Sequence, residues 1–180
     1  MLEPKPDVTI GGRFRLVREI GSGGQATVWQ AHDDRVLRDV ALKLMRSELA
    51  SSKSARTRFI QEARAAARIA SKHVVVIHDV GEEAETPYLV MELLHGETLR
   101  KRLDRVQTLS LLQTAVLLDQ IAAALTPGHE SGIVHRDLKP GNIFLVGADG
   151  ANQELSAKVL DFGVATLPES DRAGDTTHPM

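Results

Sequence analysis

The chain of 180 residues contains no cysteine, so it forms neither disulfide bonds nor thiolate metal sites. Lysine and arginine total 22 against 24 aspartates and glutamates, and the net charge of −2 shows no basic footprint for nucleic-acid binding. No apolar run reaches the length of a membrane span, and the N-terminus lacks a secretory pattern. We therefore expect a cytoplasmic protein that binds no nucleic acid and has no membrane segment in this chain.

Paired histidines at metal-ligand spacing are also missing, and the sequence has no internal repeats. We expect His129 to pack against its surroundings and to take no part in chemistry. The histidines to which we assign no metal role are His32, His73, His78, His95 and His178.

Two carboxylates, one lysine and one carboxamide are present in two short motifs. Residues 135–142 read H-R-D-L-K-P-G-N, and residues 161–163 read D-F-G. Phosphoryl transfer needs a group that orients the attacking hydroxyl, oxygen ligands for magnesium, and positive charge on the phosphates. The side chains that can supply these functions are Asp137, Lys139, Asn142 and Asp161.

A glycine cluster, G-S-G-G-Q-A-T-V over residues 21–28, lies far upstream. Such a cluster by itself is weak evidence, because it also fits a dinucleotide-binding loop or a plain turn. A dinucleotide-binding loop must open a helix, whereas Thr27, Val28 and Trp29 favour a strand. Since residues 13–20 alternate apolar and polar side chains, we predict a strand, a glycine turn and a second strand.

Together these motifs resemble those of the eukaryotic-like Ser/Thr protein kinases, especially their bacterial branch. The resemblance implies an α+β fold of two lobes, with Mg-ATP bound between them and Ser/Thr hydroxyls of a protein as the substrate. It implies that Asp137 orients the hydroxyl, that Lys139 stabilises the transferred phosphoryl group, and that Asn142 and Asp161 bind Mg²⁺. Ala26 departs from the family pattern, because a third glycine usually stands there.

The resemblance also assigns roles in the first lobe. Residues 40–43 read V-A-L-K, which makes Lys43 the ligand of the α and β phosphates and Glu62 its partner. Considered alone, Lys43 also fits a surface lysine on a short strand. Glu62 lies beside the apolar stripe of a predicted helix and also fits an i,i+4 pair with Arg58.

An adenine pocket follows from the same resemblance. Met91 is expected at its back, residues 92–94 as the hinge whose backbone binds the adenine edge, Val28 and Ala41 above, and Phe144 below. Each of these would otherwise be an ordinary core residue. The complete nucleotide-binding set is Ile20, Gly21, Ser22, Gly23, Gly24, Val28, Ala41, Lys43, Met91, Glu92, Leu94, Asn142, Phe144 and Asp161.

Periodicity predicts the remaining elements. Pro127 lacks a backbone donor, so we expect the third helix to end near Leu125. The family resemblance implies that His135 supports the catalytic loop, residues 135–142, and packs toward Phe162. The predicted strands span 13–20, 27–29, 40–43, 73–77 and 88–91, with a turn at 81–85, and the predicted helices span 56–70, 98–103 and 109–125.

The motifs divide the chain into a lead-in (1–12), an N-lobe (13–93), a partial C-lobe (94–167) and a truncated activation segment (168–180) that we expect to be disordered. No A-P-E motif follows Asp161, so we expect a C-terminally truncated catalytic domain. Apolar residues of the third helix should then be open to water and invite self-association or a protein partner. A nucleotide-binding pseudokinase, an interaction module and an inert fragment remain alternatives. Candidate phosphosites are Ser170, Thr176 and Thr177.

Overall fold

The computed structural model describes residues 3–147 and 155–162, which form nine strands, four α-helices and one short 3-10 helix (Pro140–Asn142). Gly163, the predicted activation segment (168–180) and the candidate phosphosites lie outside the described residues. The strands are β1 (Thr9–Ile10), β2 (Phe14–Ser22), β3 (Ala26–Asp33), β4 (Arg38–Met45), β5 (Ile77–Glu83), β6 (Thr86–Glu92), β7 (Gly96–Thr98), β8 (Ile143–Val146) and β9 (Ser156–Val159). The helices are α1 (Ser47–Ala50), α2 (Lys53–Ala66), α3 (Leu99–Val106) and α4 (Leu111–Glu130).

The N-lobe is an antiparallel sheet of six strands in the order β1-β2-β3-β4-β6-β5. Its strands are rich in β-branched and apolar residues, and alternate side chains point to the two faces. One face buries a cluster that includes Phe14, Leu16, Trp29 and Leu42. The predicted lead-in is wrong in part, because Ile10 of β1 is fully buried in this cluster and pairs with Phe14.

The other face of this sheet is covered by α1 and α2. The Ser52 hydroxyl caps α2 by accepting from the Ala55 backbone, and the helix therefore begins three residues earlier than predicted. Phe59 and Ala63 of α2 pack on Leu89 of the sheet. This packing fixes α2 beside the strand that carries Lys43.

The strand predicted over residues 73–77 is wrong for its first four residues. The first three of these residues pair with β9 of the other lobe: the Val159 amide donates to His73 O at 2.7 Å, and the Val75 amide donates to Val159 O at 3.1 Å. The predicted turn is also shorter than expected, because β5 continues to Glu83 and only Ala84 and Glu85 adopt turn conformations with positive φ.

The C-lobe contains the sheet β7-β8-β9 packed against α3 and α4. The prediction that α4 ends near Leu125 is wrong, because the helix continues through Pro127 to Glu130. Proline cannot donate to the Ala123 carbonyl, and the Ser71 hydroxyl donates to that carbonyl instead at 3.1 Å. The prediction for His129 is wrong too, since its side chain is exposed.

None of the helices in the described part of the chain combines the length and the apolar character that a bilayer crossing requires. The outer face of α4 is nevertheless apolar: Leu111, Leu112 and Leu118 are 88%, 74% and 60% exposed. The inner face packs Leu117 and Ile121 on β8 and β9.

An ion pair between Arg13, which directly precedes β2, and the buried Asp33 at the end of β3 joins these two strands. Asp33 is 1% exposed and accepts from Arg13 Nε at 2.8 Å and from Arg13 Nη2 at 2.7 Å. These hydrogen bonds lower the pKa of Asp33, against the opposing effect of burial.

This ion pair predicts an acid-sensitive contribution to stability. Because the pKa of Asp33 is lower in the folded chain, its contribution is full above the unfolded pKa of about 3.9 and disappears as pH falls through the folded value. In Arg13→Met, the decrease in the free energy of unfolding that comes from protonating Asp33 is expected to disappear. Urea titrations from pH 6 down to pH 2 measure this decrease. Arg15→Met is the matched control, since Arg15 forms a longer, exposed pair with Asp34 at 3.6 Å. Equal acid sensitivity in both variants would contradict the prediction.

Candidate active site

The catalytic loop brings three of the predicted side chains into contact. Lys139 Nζ lies 2.7 Å from Asp137 Oδ2, and Asn142 Nδ2 donates to the same oxygen at 3.1 Å. Asn142 Nδ2 also donates to the Asp137 backbone carbonyl at 2.8 Å, which holds the loop in a closed turn. No hydrogen bond within residues 3–147 and 155–162 uses Asp137 Oδ1, so this oxygen can accept a further hydrogen bond.

The electrostatics of this cluster favour an ionised Asp137. The hydrogen bond from Lys139 lowers the pKa of Asp137, and the bond from Asn142 lowers it further, while slight burial opposes both. A carboxylate with a low pKa is a weak base. Asp137 is therefore suited to orient a hydroxyl, and less suited to remove its proton early in the reaction.

The His135 ring is buried and contacts Phe162, as the family resemblance implied. The ring is 2% exposed, lies 4.8 Å from the Phe162 ring, and has Nε2 at 2.9 Å from Leu160 O. The Asp137 amide donates to the His135 backbone carbonyl at 2.8 Å and lies 3.3 Å from Nδ1. The His135 ring therefore links the catalytic loop to the segment before Asp161 through its Nε2 contact.

Lys43 on β4 contacts Asp161 and not its predicted partner. Lys43 Nζ lies 2.6 Å from Asp161 Oδ1. The described residues contain no ion pair between Lys43 and Glu62, although both side chains line one cavity of about 130 Å³ with Asp137 and Phe162. The prediction of a Lys43–Glu62 pair is wrong for this structure, where the Lys43 ammonium group pairs with Asp161 instead.

Glu62 is a partly buried carboxylate whose pKa is raised. Burial raises the pKa of Glu62, and the positive charges of Lys43 and Arg58 compensate for this only in part. Among the described residues, Glu62 and Arg58 form no ion pair within 4.0 Å. The charge of Arg58 lowers the pKa of Glu62 only from a longer distance.

This burial predicts that Glu62→Gln stabilises the nucleotide-free chain at pH 7. A raised folded pKa means that the folded chain binds more protons than the unfolded one, so ionised Glu62 costs stability as pH rises above its unfolded pKa. The increase in thermal unfolding midpoint should disappear near pH 4, where the glutamate is protonated. Glu48→Gln, at an exposed position, is the control. A lower midpoint for Glu62→Gln at pH 7 would contradict the prediction.

An apolar cavity of about 110 Å³ lies between the lobes, next to Lys43. The side chains predicted to surround the adenine all line this cavity except Leu93, which packs against its lining residues. Sequence reasoning missed Val75 and Leu160, which have no signature beyond their apolar character. The lining residues are Ile20, Val28, Ala41, Lys43, Val75, Met91, Glu92, Leu94, Phe144, Leu160 and Asp161.

Sequence reasoning also missed the side-chain role of Glu92 in the hinge. Glu92 Oε1 accepts from the Val76 amide at 2.7 Å and lies 2.6 Å from Lys158 Nζ on β9. Lys158 and Glu92 are 16% and 26% exposed, so this pair is largely shielded from water. The hinge is thus bonded to the strand that leads to Asp161.

The glycine turn has the predicted form of strand, turn and strand. β2 ends at Ser22 and β3 begins at Ala26, where the Gly23 amide donates to the Ala26 carbonyl at 2.9 Å. Ala26 is 5% exposed and packs with Met45 and Phe59. The methyl group that replaces the third glycine therefore contributes to the N-lobe core.

The donor set fits a magnesium ion. Magnesium prefers carboxylate and carbonyl oxygens. Asn142 uses its Nδ2 to bind Asp137, which directs its oxygen away from that contact, and Asp161 offers a carboxylate that is 44% exposed. Lys43 occupies one oxygen of this carboxylate, and the other has no hydrogen bond among the described residues.

Comparison with known proteins gives related sequences in bacteria. The family model for the protein kinase domain matches residues 14–178. The chain is 41% identical over 169 residues to the serine/threonine-protein kinase PknA of Mycobacterium tuberculosis, covering 91% of this chain and 38% of that protein. It is 36% identical over 161 residues to the serine/threonine-protein kinase PrkC of Bacillus subtilis, covering 89% of this chain and 24% of that protein.

Solved structures agree with these matches. The crystal structure of the Mycobacterium tuberculosis PknI kinase domain superposes with a TM-score of 0.73 and 26% identity, covering 91% of this chain and 64% of that domain. The α+β fold with an antiparallel N-lobe sheet and a partial C-lobe is thereby confirmed. The chain thus belongs to the protein kinase domain family, in the branch of the bacterial eukaryotic-like Ser/Thr kinases.

Proposed function

We propose that this chain binds Mg-ATP between its lobes and transfers the γ-phosphoryl group to Ser/Thr hydroxyls of a protein, in the cytoplasm where ATP is available. The observation that carries the proposal is the contact of Asp137 with Lys139 and Asn142, next to an apolar cleft closed by Lys43 and Asp161. An orienting carboxylate, a cation and hard oxygen ligands are the groups that phosphoryl transfer requires.

In the reaction, the substrate oxygen bonds to the γ-phosphorus while the bond from that phosphorus to the β,γ-bridging oxygen breaks. Asp137 holds the hydroxyl through Oδ1 and receives its proton late, as its low pKa favours. Lys139 neutralises charge on the transferred group, and Lys43 binds the α and β phosphates. Asn142 and Asp161 would hold the magnesium ion, which neutralises charge on the phosphates when bound.

Glu62 has a role in this proposal although it does not contact Lys43 in the structure. An Asp161 that ligates a cation is a weaker partner for Lys43. Glu62 lines the cavity that holds Lys43 and Asp161, and it already feels the charge of Lys43. Asp137 lines the same cavity but is bonded to Lys139. We propose that Lys43 pairs with Glu62 in the nucleotide-bound state.

The proposal is tested by calorimetry of Mg-ATP binding to the chain, followed by an assay of γ-phosphate transfer to a basic protein that contains Ser and Thr. Binding together with transfer supports a working kinase. Binding without transfer supports a nucleotide-binding pseudokinase, and a folded chain that does not bind Mg-ATP contradicts the proposal.

The apolar outer face of α4 favours a second candidate function, as an interaction module. Leu111, Leu112 and Leu118 together present an apolar surface of the kind that marks a protein contact. This face should mediate self-association, which sedimentation of the wild-type chain and of Leu112→Glu measures. A monomeric wild-type chain at high concentration would contradict this candidate.

A further inference from the structure

Arg46 connects the end of β4 to the glycine turn. It follows Lys43 by three residues, and its guanidinium reaches back across the sheet. Arg46 Nε donates to the Gly23 carbonyl at 2.7 Å, and Arg46 Nη2 donates to the Ser22 hydroxyl at 2.7 Å. The planar guanidinium thus binds two successive residues of the turn at once.

The backbone of Arg46 is itself held firmly. Its amide donates to the Gln25 carbonyl at 2.9 Å, and its carbonyl accepts from the amides of Leu49 and Ala50, both at 3.0 Å. The side chain therefore projects from a fixed point between the strand that carries Lys43 and the first turn of α1. Because the Arg46 backbone is held in place, the two side-chain bonds to Ser22 and Gly23 can restrain the glycine turn.

Apart from the Arg46 side chain and the bond from the Arg46 amide to Gln25, the described residues show few restraints on the glycine turn. Residues 22–25 are exposed, and a Cβ added to Gly24 would meet no atom within 4 Å. The turn closes through its own bond from the Gly23 amide to Ala26. Glycine loses more conformational entropy on ordering than other residues, so a turn of this composition is costly to fix on a phosphate group.

We infer that Arg46 is a positioning residue that holds the glycine turn in the conformation that receives the ATP phosphates. It acts through Ser22 and Gly23 and does not itself contact the nucleotide. By fixing the turn before binding, Arg46 reduces the entropy lost when the turn closes on the phosphates. This inference rests on the proposed Mg-ATP binding.

The first test compares Mg-ATP with adenosine in calorimetry. Arg46→Ala is expected to weaken Mg-ATP binding about tenfold, the factor that corresponds to the entropy of fixing the backbone of about one further residue, and to leave adenosine binding unchanged because adenosine has no phosphates. Arg46→Lys keeps the charge and loses the two-pronged contact, so it should resemble Arg46→Ala. Arg18→Ala is the matched control, since Arg18 binds Gln30 on the same sheet, away from the turn.

Three outcomes of this test would overturn the inference. These are unchanged Mg-ATP binding in Arg46→Ala, equal weakening of Mg-ATP and adenosine, and full recovery in Arg46→Lys, which would assign the effect to charge alone. The fluorescence of the single tryptophan, Trp29, reports whether each variant is folded, because this side chain is buried beside the turn.

A second test needs no nucleotide and so separates this inference from the proposed function. Quench-flow hydrogen exchange of the nucleotide-free chain should be faster at residues 22–26 in Arg46→Ala, with β5 and β6 unchanged. Unchanged exchange at the turn would overturn the inference even if the chain binds Mg-ATP. Faster exchange in a chain that fails to bind Mg-ATP would leave the restraint established and contradict the proposed function.

Discussion

Replacing Asp137 with asparagine is expected to slow phosphoryl transfer by about 10²–10⁴-fold, the range for loss of a positioned proton acceptor. The asparagine keeps the size of the side chain and accepts from Asn142, but it lacks the negative charge that attracts Lys139 and receives the hydroxyl proton. Binding of Mg-ATP should remain, because Asp137 belongs to the loop and does not line the apolar cleft.

The measurement is a single-turnover assay of γ-phosphate transfer, alongside calorimetry of Mg-ATP. Asp119→Asn is the matched control, since Asp119 is exposed on α4 and distant in sequence from the catalytic loop. A transfer rate for Asp137→Asn equal to that of the wild-type chain would refute the assignment of Asp137. Loss of nucleotide binding in the same variant would show that the cluster supports the cleft as a whole.

Lys43→Met should weaken Mg-ATP binding about 10²-fold, because two charge-assisted bonds to phosphate disappear together. Methionine preserves the aliphatic stem, so the packing of β4 should persist. The substitution also removes the 2.6 Å contact with Asp161, and the exposed carboxylate is then left without a cation. Adenosine binding should change little, since the purine cleft keeps its remaining apolar lining.

Calorimetry with Mg-ATP and adenosine measures both expectations on one sample. Lys72→Met, at an exposed position before the His73 segment, is the control for loss of a lysine. If Lys43→Met binds Mg-ATP as tightly as the wild-type chain, Lys43 does not contribute to phosphate binding, and its assignment as the phosphate ligand fails.

Local chemistry explains why much of the site could be predicted from the sequence. The contacts of Asp137 with Lys139 and Asn142 span at most five residues, so the motif itself brings these side chains together. The strand after the glycine turn was readable because Thr27, Val28 and Trp29 favour β structure. The resemblance added Met91, Ala41 and Phe144, which composition could not separate from core residues.

What could not be predicted depends on partners distant in sequence. Lys43 binds Asp161 and not Glu62, a choice between two carboxylates that only the packed structure makes. Pro127 stays within α4 because a hydroxyl from Ser71 satisfies the Ala123 carbonyl, and the sequence around Pro127 contains no sign of it. Glu92 and Lys158 are 66 residues apart, so their contact has no local signature.

The pairing of the His73 segment with β9 bears on how the chain can be divided. A cut at the hinge would separate the lobes in sequence while leaving two backbone hydrogen bonds between them, from Val159 to His73 and from Val75 to Val159. Val74 and Val159 also share one apolar cluster with Phe162, to which both lobes contribute. An excised N-lobe would therefore have unpaired backbone groups at His73 and Val75 and an uncovered apolar surface. The two pieces should reassociate when they are mixed.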